Sequence, residues 1–144
     1  MAEAVDEKRG RIDGKVTVSR CMGFRINPTM EQKTIIWKTF GCCRFVWNNL
    51  LQERIEYEEK NKGRLLNTTP AHLKKDNPFL CEVDSLSLSN TQLNLNQACK
   101  KLFPKGKAPK FRAKGKDKRS YTTNWINNNI EIIHKSAREN YIKL

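Results

Sequence analysis

Long apolar runs, disulfide frameworks, phosphate loops and metal-ligand clusters are all missing from this chain of 144 residues. Each gap removes a class of function. No apolar stretch approaches the ~20 residues that cross a bilayer, and the opening MAEAVDEKRGRIDG lacks the apolar centre of a secretory leader. A cytoplasmic location without membrane partners is the expectation. The two histidines, His72 and His134, stand apart from any nucleophile or ligand spacing. No Gly-x-Ser-x-Gly elbow and no glycine-rich phosphate loop occurs. Five cysteines fall at 21, 42, 43, 81 and 99, an odd number without a C-x-x-C, which suits neither a disulfide framework nor a zinc site. Cys43 and Cys99 lie on apolar stripes and read as core packing. Glu53, Glu56, Glu58 and Glu59 sit beside Arg54 and Lys60 and read as an exposed charged face rather than a metal site. No catalytic residue, metal or cofactor is expected.

Positive charge is what the chain has in excess. Its formal charge is +13, with a sequence pI near 9.8 and a mean hydropathy of -0.74. The charge is localised: residues 100–119 hold ten lysines and arginines against the single acid Asp117, so +9 of the total falls there. A polyanion is the implied partner, nucleic acid before membrane. Lys105, Lys107, Lys110, Arg112, Lys114, Lys116, Lys118 and Arg119 are the expected phosphate-binding residues, with Phe111 and Tyr121 interleaved. Glycine and proline punctuate this tract and no apolar period runs through it. It reads as an extended, solvated loop whose lysines contact phosphate without reading sequence.

The period of the apolar residues orders the rest. Residues 1–14 offer little to bury and read as a frayed tail, and the flexible N-terminal segment set apart from the lobes covers 1–18. Val16, Val18, Met22, Phe24 and Ile26 alternate as a half-buried strand does. Pro28 ends it. Thr29 with Gln32 forms a capping box for a helix running to about residue 62. Ile36, Phe40, Cys43, Trp47 and Leu50 make its apolar stripe, and Gly41 marks either a corner between two helices or a kink. Trp37 and Trp47 both read as core. Thr69-Pro70 opens a short helix over 71–75 that Asn77-Pro78 closes, and Phe79, Leu80 and Val83 pack the connector that follows. A third helix over 85–103 carries Leu88, Thr91, Leu95, Ala98, Cys99 and Leu102, with Asp84 or Ser85 as its cap. SYTTNW and INNNIEII read as two short strands, and YIKL as the start of another. Strand 16–26 has partners only among those late strands, so a helical block is inserted into a β unit. A helix-turn-helix DNA reader is the competing use of 29–62. Its second half begins CCRFVWNNLL, where only Arg44, Asn48 and Asn49 could reach base edges.

The strings FRINPT, KTFGCCRFVWN, FLCEVDSLSLSNTQLNLNQACKKLF, APKFRAKGK, SYTTNWINNNI and YIKL recur in order over residues 19–144. In that order they resemble the N-terminal region of the TnpB/OrfB family, transposon-encoded RNA-guided DNA nucleases of the transposase class. The resemblance implies an α+β fold: a small, barrel-like wedge lobe from 19–28 and 119–144, a helical recognition lobe at 29–103, and a basic loop at 104–118. It implies guide-like RNA and target DNA as partners. Carried over by position, contacts to a DNA motif fall at Ser85, Leu86, Ser89, Asn127 and Asn128. The family continues past the equivalent of YIKL into a RuvC-like nuclease domain and a zinc ribbon. The expectation is therefore a truncated or split member, binding nucleic acid without catalysis of its own, its missing C-terminal nuclease half a partner if split. The alternative is a truncated member acting as a helix-turn-helix DNA-binding regulator.

Overall fold

The computed structural model describes residues 7–12, 15–21, 23, 25–61, 66, 68–136 and 140–143, the first two strands by their backbone alone. Two strands come first, β1 (Glu7–Ile12) and β2 (Lys15–Arg20). They form an antiparallel hairpin in which Ile12 faces Lys15 and Glu7 faces Arg20. The residues left between them are Asp13 and Gly14, the pair that most favours a two-residue hairpin connection. Three expectations change here. Residues 7–12, inside the segment read as a tail, form a strand. The early strand pairs with this neighbour and not, among the described residues, with the late strands. It also stops at Arg20, opposite the first described residue of β1, rather than at Ile26. Met22 and Phe24, two of its expected inward positions, lie outside the described residues.

The long helix α1 (Met30–Asn61) runs 32 residues. Thr29 and Gln32 start it as a reciprocal pair: the Thr29 amide donates to Gln32 Oε1 at 2.9 Å and the Gln32 amide to Thr29 Oγ1 at 3.3 Å. It does not break at Gly41. One glycine costs only about 1 kcal/mol in a helix interior, and the turns on both sides carry it. The corner read at this position is therefore absent. The expected stop near Gly63 falls outside the described residues.

Past α1 come α2 (Pro70–Asp76), a 3₁₀ turn over Pro78–Glu82, and α3 (Ser85–Leu102). Asp84 caps α3, its carboxylate accepting from the amides of Leu86 at 2.9 Å and Ser87 at 3.2 Å. Thr69 occupies the N-cap position of α2 without a side-chain bond. The core gathers the second half of α1 (Cys42, Cys43, Val46, Trp47, Leu50, Leu51), Leu73, Leu80 and Val83 from the connector, and Leu88, Leu95 and Cys99 from α3. Phe79 stays partly exposed but meets Phe45 edge-on at 5.3 Å. The stripe expected on α1 is therefore right at Cys43, Trp47 and Leu50 and too narrow, since Cys42, Val46, Leu51 and Arg54 are buried as well. Arg54, expected on a charged face, is 2% exposed, with its Nη1 3.8 Å from Cys99 Sγ. Trp37 is the opposite correction: the first turns of α1 stand clear of the core and leave it 50% exposed.

The chain ends in a second hairpin, β3 (Glu131–His134) with β4 (Asn140–Lys143), Glu131 facing Lys143. SYTTNW makes no strand: its residues lack a ladder partner. The fold is α+β, with two separate two-stranded sheets among the described residues. By internal contacts the chain divides into residues 1–32 and 33–144.

Two predictions follow from this core. Trp47→Ala removes a buried indole and should lower stability by about 3–5 kcal/mol in urea unfolding, whereas Trp37→Ala should cost under ~1 kcal/mol, an ordinary surface substitution. His72 of α2 has both ring nitrogens against acceptors, Nδ1 at 2.6 Å from the Thr69 carbonyl and Nε2 at 2.7 Å from Glu53 Oε1. Only the imidazolium donates to both at once, and the Glu53 bond, ahead of the opposing effect of burial, raises the His72 pKa above its ordinary value. A raised folded pKa gives stability that is complete below the unfolded value near 6.5 and lost as pH rises through the folded one. The difference in melting temperature between the parent and His72→Gln should therefore shrink from pH 5.5 to pH 8.5. A constant difference would show that this pair does not titrate.

Candidate nucleic-acid interface

The basic tract is not the free loop that its composition suggests. After α3 a 3₁₀ turn (Phe103–Lys105) ends at Gly106, whose φ of 64° is open to glycine at no steric cost. The chain then returns along α1, and two consecutive helix residues hold it. Trp47 Nε1 donates to the Lys110 carbonyl at 3.0 Å. Asn48 makes a two-point bond with one peptide segment, its Nδ2 donating to the Arg112 carbonyl at 2.9 Å and its Oδ1 accepting from the Arg112 amide at 2.8 Å. A carboxamide carries one donor and one acceptor side by side, so it can pair with an extended backbone as a neighbouring strand would. Pro109 is buried at the start of this contact.

Side chains reinforce the strap. The Arg112 guanidinium lies 3.9 Å from the centre of the Trp47 ring, and burial pushes its pKa below the usual arginine value. Arg119 lies over Trp37 at 4.5 Å. Asp117 accepts a hydrogen bond from the Ala113 amide and so closes the turn that contains Gly115. The tract's one acid is bonded to backbone, while Lys105, Lys107, Lys110, Lys114, Lys116 and Lys118 are exposed. Seven of the eight residues expected to bind phosphate, Arg119 included, are thus solvent-facing on a held backbone. The eighth, Arg112, is partly covered and serves the strap itself.

The residues singled out for base contact are placed in two groups. Ser85 Oγ takes a hydrogen bond from Lys74 Nζ at 2.7 Å, Leu86 is half-buried, and Ser89 Oγ donates to the Ser85 carbonyl at 3.1 Å. Asn127 and Asn128 are exposed at a turn with φ of 52° and 59°, left-handed values that asparagine tolerates better than most residues. The Asn129 amide donating to the Ile126 carbonyl at 3.0 Å fastens that turn. The segment before it reaches the start of α3, where Thr123 Oγ1 donates to the Asp84 carboxylate. Tyr121, one of the two aromatics interleaved with the basic tract, packs against Phe40 with ring centres 5.7 Å apart, and burial raises its phenol pKa.

For a major-groove reader the second half of α1 is poorly disposed. Asn48 is committed to Arg112, and Asn49 Nδ2 donates to its own helix at the Phe45 carbonyl, 2.9 Å away. Both are residues that the sequence offered to bases. Of the two, Asn48 alone pins the strap, through a peptide 64 residues away that nothing in the sequence around it announces. Among the described residues, no three side chains of His, Cys, Asp or Glu gather as ligands to a metal.

A family model for the helix-turn-helix domain of the OrfB/IS605 type matches residues 18–63. Over those residues the chain is similar to that domain. In this chain the match spans the second half of β2 and all of α1, a single helix where the name implies two. A relative in Streptomyces pristinaespiralis, named as a candidate RNA-guided DNA endonuclease, is 29% identical over 127 residues, which is 80% of this chain and 32% of the relative. The chain thus spans about a third of the length of that curated relative.

If the strap depends on Asn48, then Asn48→Ala should free it. The loss of both hydrogen bonds should cost roughly 1–3 kcal/mol, and trypsin should cut after Lys110, Arg112 and Lys114 several-fold faster in the native state. Unchanged cleavage would mean that Trp47 and Pro109 suffice.

Proposed function

We propose that the chain is a nucleic-acid-binding module of the TnpB/OrfB kind, one that engages a structured, guide-like RNA and DNA beside its target and does no chemistry itself. The observation that carries this reading is the strap: six exposed lysines and Arg119 displayed on a backbone bonded to α1. Cations held at fixed spacing along a ridge neutralise successive phosphates and release their counterions. The family match and the named relative support the nucleic-acid context. In this reading Ser85, Leu86 and Ser89 at the start of α3, with Asn127 and Asn128 at the turn, contact the edges of a short DNA motif. The β strands belong to a wedge-like lobe that grips the guide.

A regulator that inserts α1 in the major groove is the second reading, favoured by the helix-turn-helix name of the matched domain. Burial of Cys42, Cys43, Val46 and Trp47 weighs against it, because a recognition helix must present polar side chains to the groove.

The test is a salt titration. Replacing Lys105, Lys107, Lys110 and Lys114 with Gln should weaken binding to every sequence alike and flatten the slope of log K against log salt by roughly two to four, at about 0.7 per phosphate on single strands and 0.9 on duplex. Replacing Asn127 and Asn128 should instead reduce preference among sequences and leave the slope unchanged. A parental slope in the lysine variant would remove the physical basis of the proposal.

A further inference from the structure

A cleft of about 300 Å³ lies between the first half of α1 and residues 112–120, lined by Trp37, Phe40 and Arg44 from the helix and by Lys114, Lys118 and Arg119 from the strap. Packing within the protein leaves two of its features unexplained. Gly41 also lines it, in mid-helix, where glycine is a poor choice. A Cβ placed there would meet no atom within 4 Å, so no neighbour in the chain requires the missing side chain. What glycine leaves is room in the cleft. Trp37 is the second feature, a large indole 50% exposed, held by Arg119 over its ring at 4.5 Å and by Phe40 edge-on at 5.7 Å.

An indole with a guanidinium stacked on it is a flat, cationic surface, the kind on which unpaired bases stack. Arg44, Lys114 and Lys118 supply charge for a phosphate in the same space. The one acid of the lining, Asp117, is bonded to the Ala113 amide. We propose that this cleft receives one unpaired nucleotide, its base stacked against the Trp37–Arg119 pair and its phosphate held by Arg44, Lys114 and Lys118. The inference rests on the nucleic-acid reading above and narrows it. A paired base stays inside its own stack, so the cleft selects single-stranded or extruded nucleotides over an intact duplex.

Binding by fluorescence anisotropy to four short labelled probes tests it: single-stranded RNA, single-stranded DNA, an abasic sugar-phosphate strand and a blunt DNA duplex. Trp37→Ala should weaken binding to the preferred single strand roughly tenfold, the loss of one stacked base. Its affinity for duplex and abasic strand, and its salt slope, should match the parent. Trp37→Phe should retain most of the affinity. Gly41→Leu, a good helix former that fills the cleft, should reproduce the selective loss while melting no lower than the parent. The RNA and DNA arms identify the sugar, and selective loss on either supports the cleft. Unchanged single-strand binding in both Trp37→Ala and Gly41→Leu, or an equal loss on the abasic strand, overturns it and leaves the phosphate-binding reading standing. Failure of the parent to bind any of the four probes overturns both.

Discussion

Two adjacent residues of α1, Trp47 and Asn48, hold the strap on which the proposed binding surface depends. Asn48 pairs with the Arg112 peptide in both directions, and Trp47 takes the Lys110 carbonyl while carrying the Arg112 guanidinium on its ring. Without those contacts, residues 104–119 would be a basic segment of high entropy. Each cation would then have to be ordered by its ligand at the moment of binding. With them, the backbone at the centre of the tract is fixed before any ligand arrives, and the cost falls on folding rather than on affinity. Trp47 also belongs to the core, so the strap inherits the stability of the packed helices.

The same helix serves two environments. Its second half is covered on a broad face by α2, α3 and their connector, and its first turns expose Met30, Ile35 and Trp37. A helix buried all along its length could not form one wall of a cleft, and one exposed all along would lack an anchor for the strap. Gly41 falls where the character changes. A packing glycine excludes a side chain because a neighbour is close, whereas Gly41 has open space where its Cβ would be. In the proposed cleft that space is what a nucleotide would occupy.

Much of this was legible in the sequence, and the failures share a cause. Helix starts were readable because their chemistry is local: Thr29 with Gln32, and Asp84 before Ser85, cap within four residues of themselves. Core residues on one face, Cys43, Trp47, Leu50, Leu88 and Leu95, followed from period alone. What could not be read was pairing over distance. Asn48 reaches a peptide 64 residues away, and nothing in its neighbourhood distinguishes that role from base contact or solvation. Trp37 and Trp47 carry the same composition-level expectation of burial, and only the position of the strap and core separates them. A local signal does exist at Asp13-Gly14, a dipeptide that favours an early hairpin over a partner ninety residues on.

Charge distribution explains why the strap needs such firm attachment. With +9 of the +13 net charge in twenty residues, neighbouring cations lie within a screening length of roughly 8–10 Å and repel one another at physiological salt. A free loop relieves that repulsion by extending; a strap bonded at Lys110 and Arg112 cannot. Hydrogen bonds, a buried proline and two cation–ring stacks hold the strap's backbone in place against that repulsion. In the proposed function, a phosphate backbone would relieve it. On the proposed reading, ligand binding and strap stability would be linked in sign: a polyanion favouring the ordered strap would stabilise it by mass action, and added salt would weaken the ligand's grip while relaxing the repulsion.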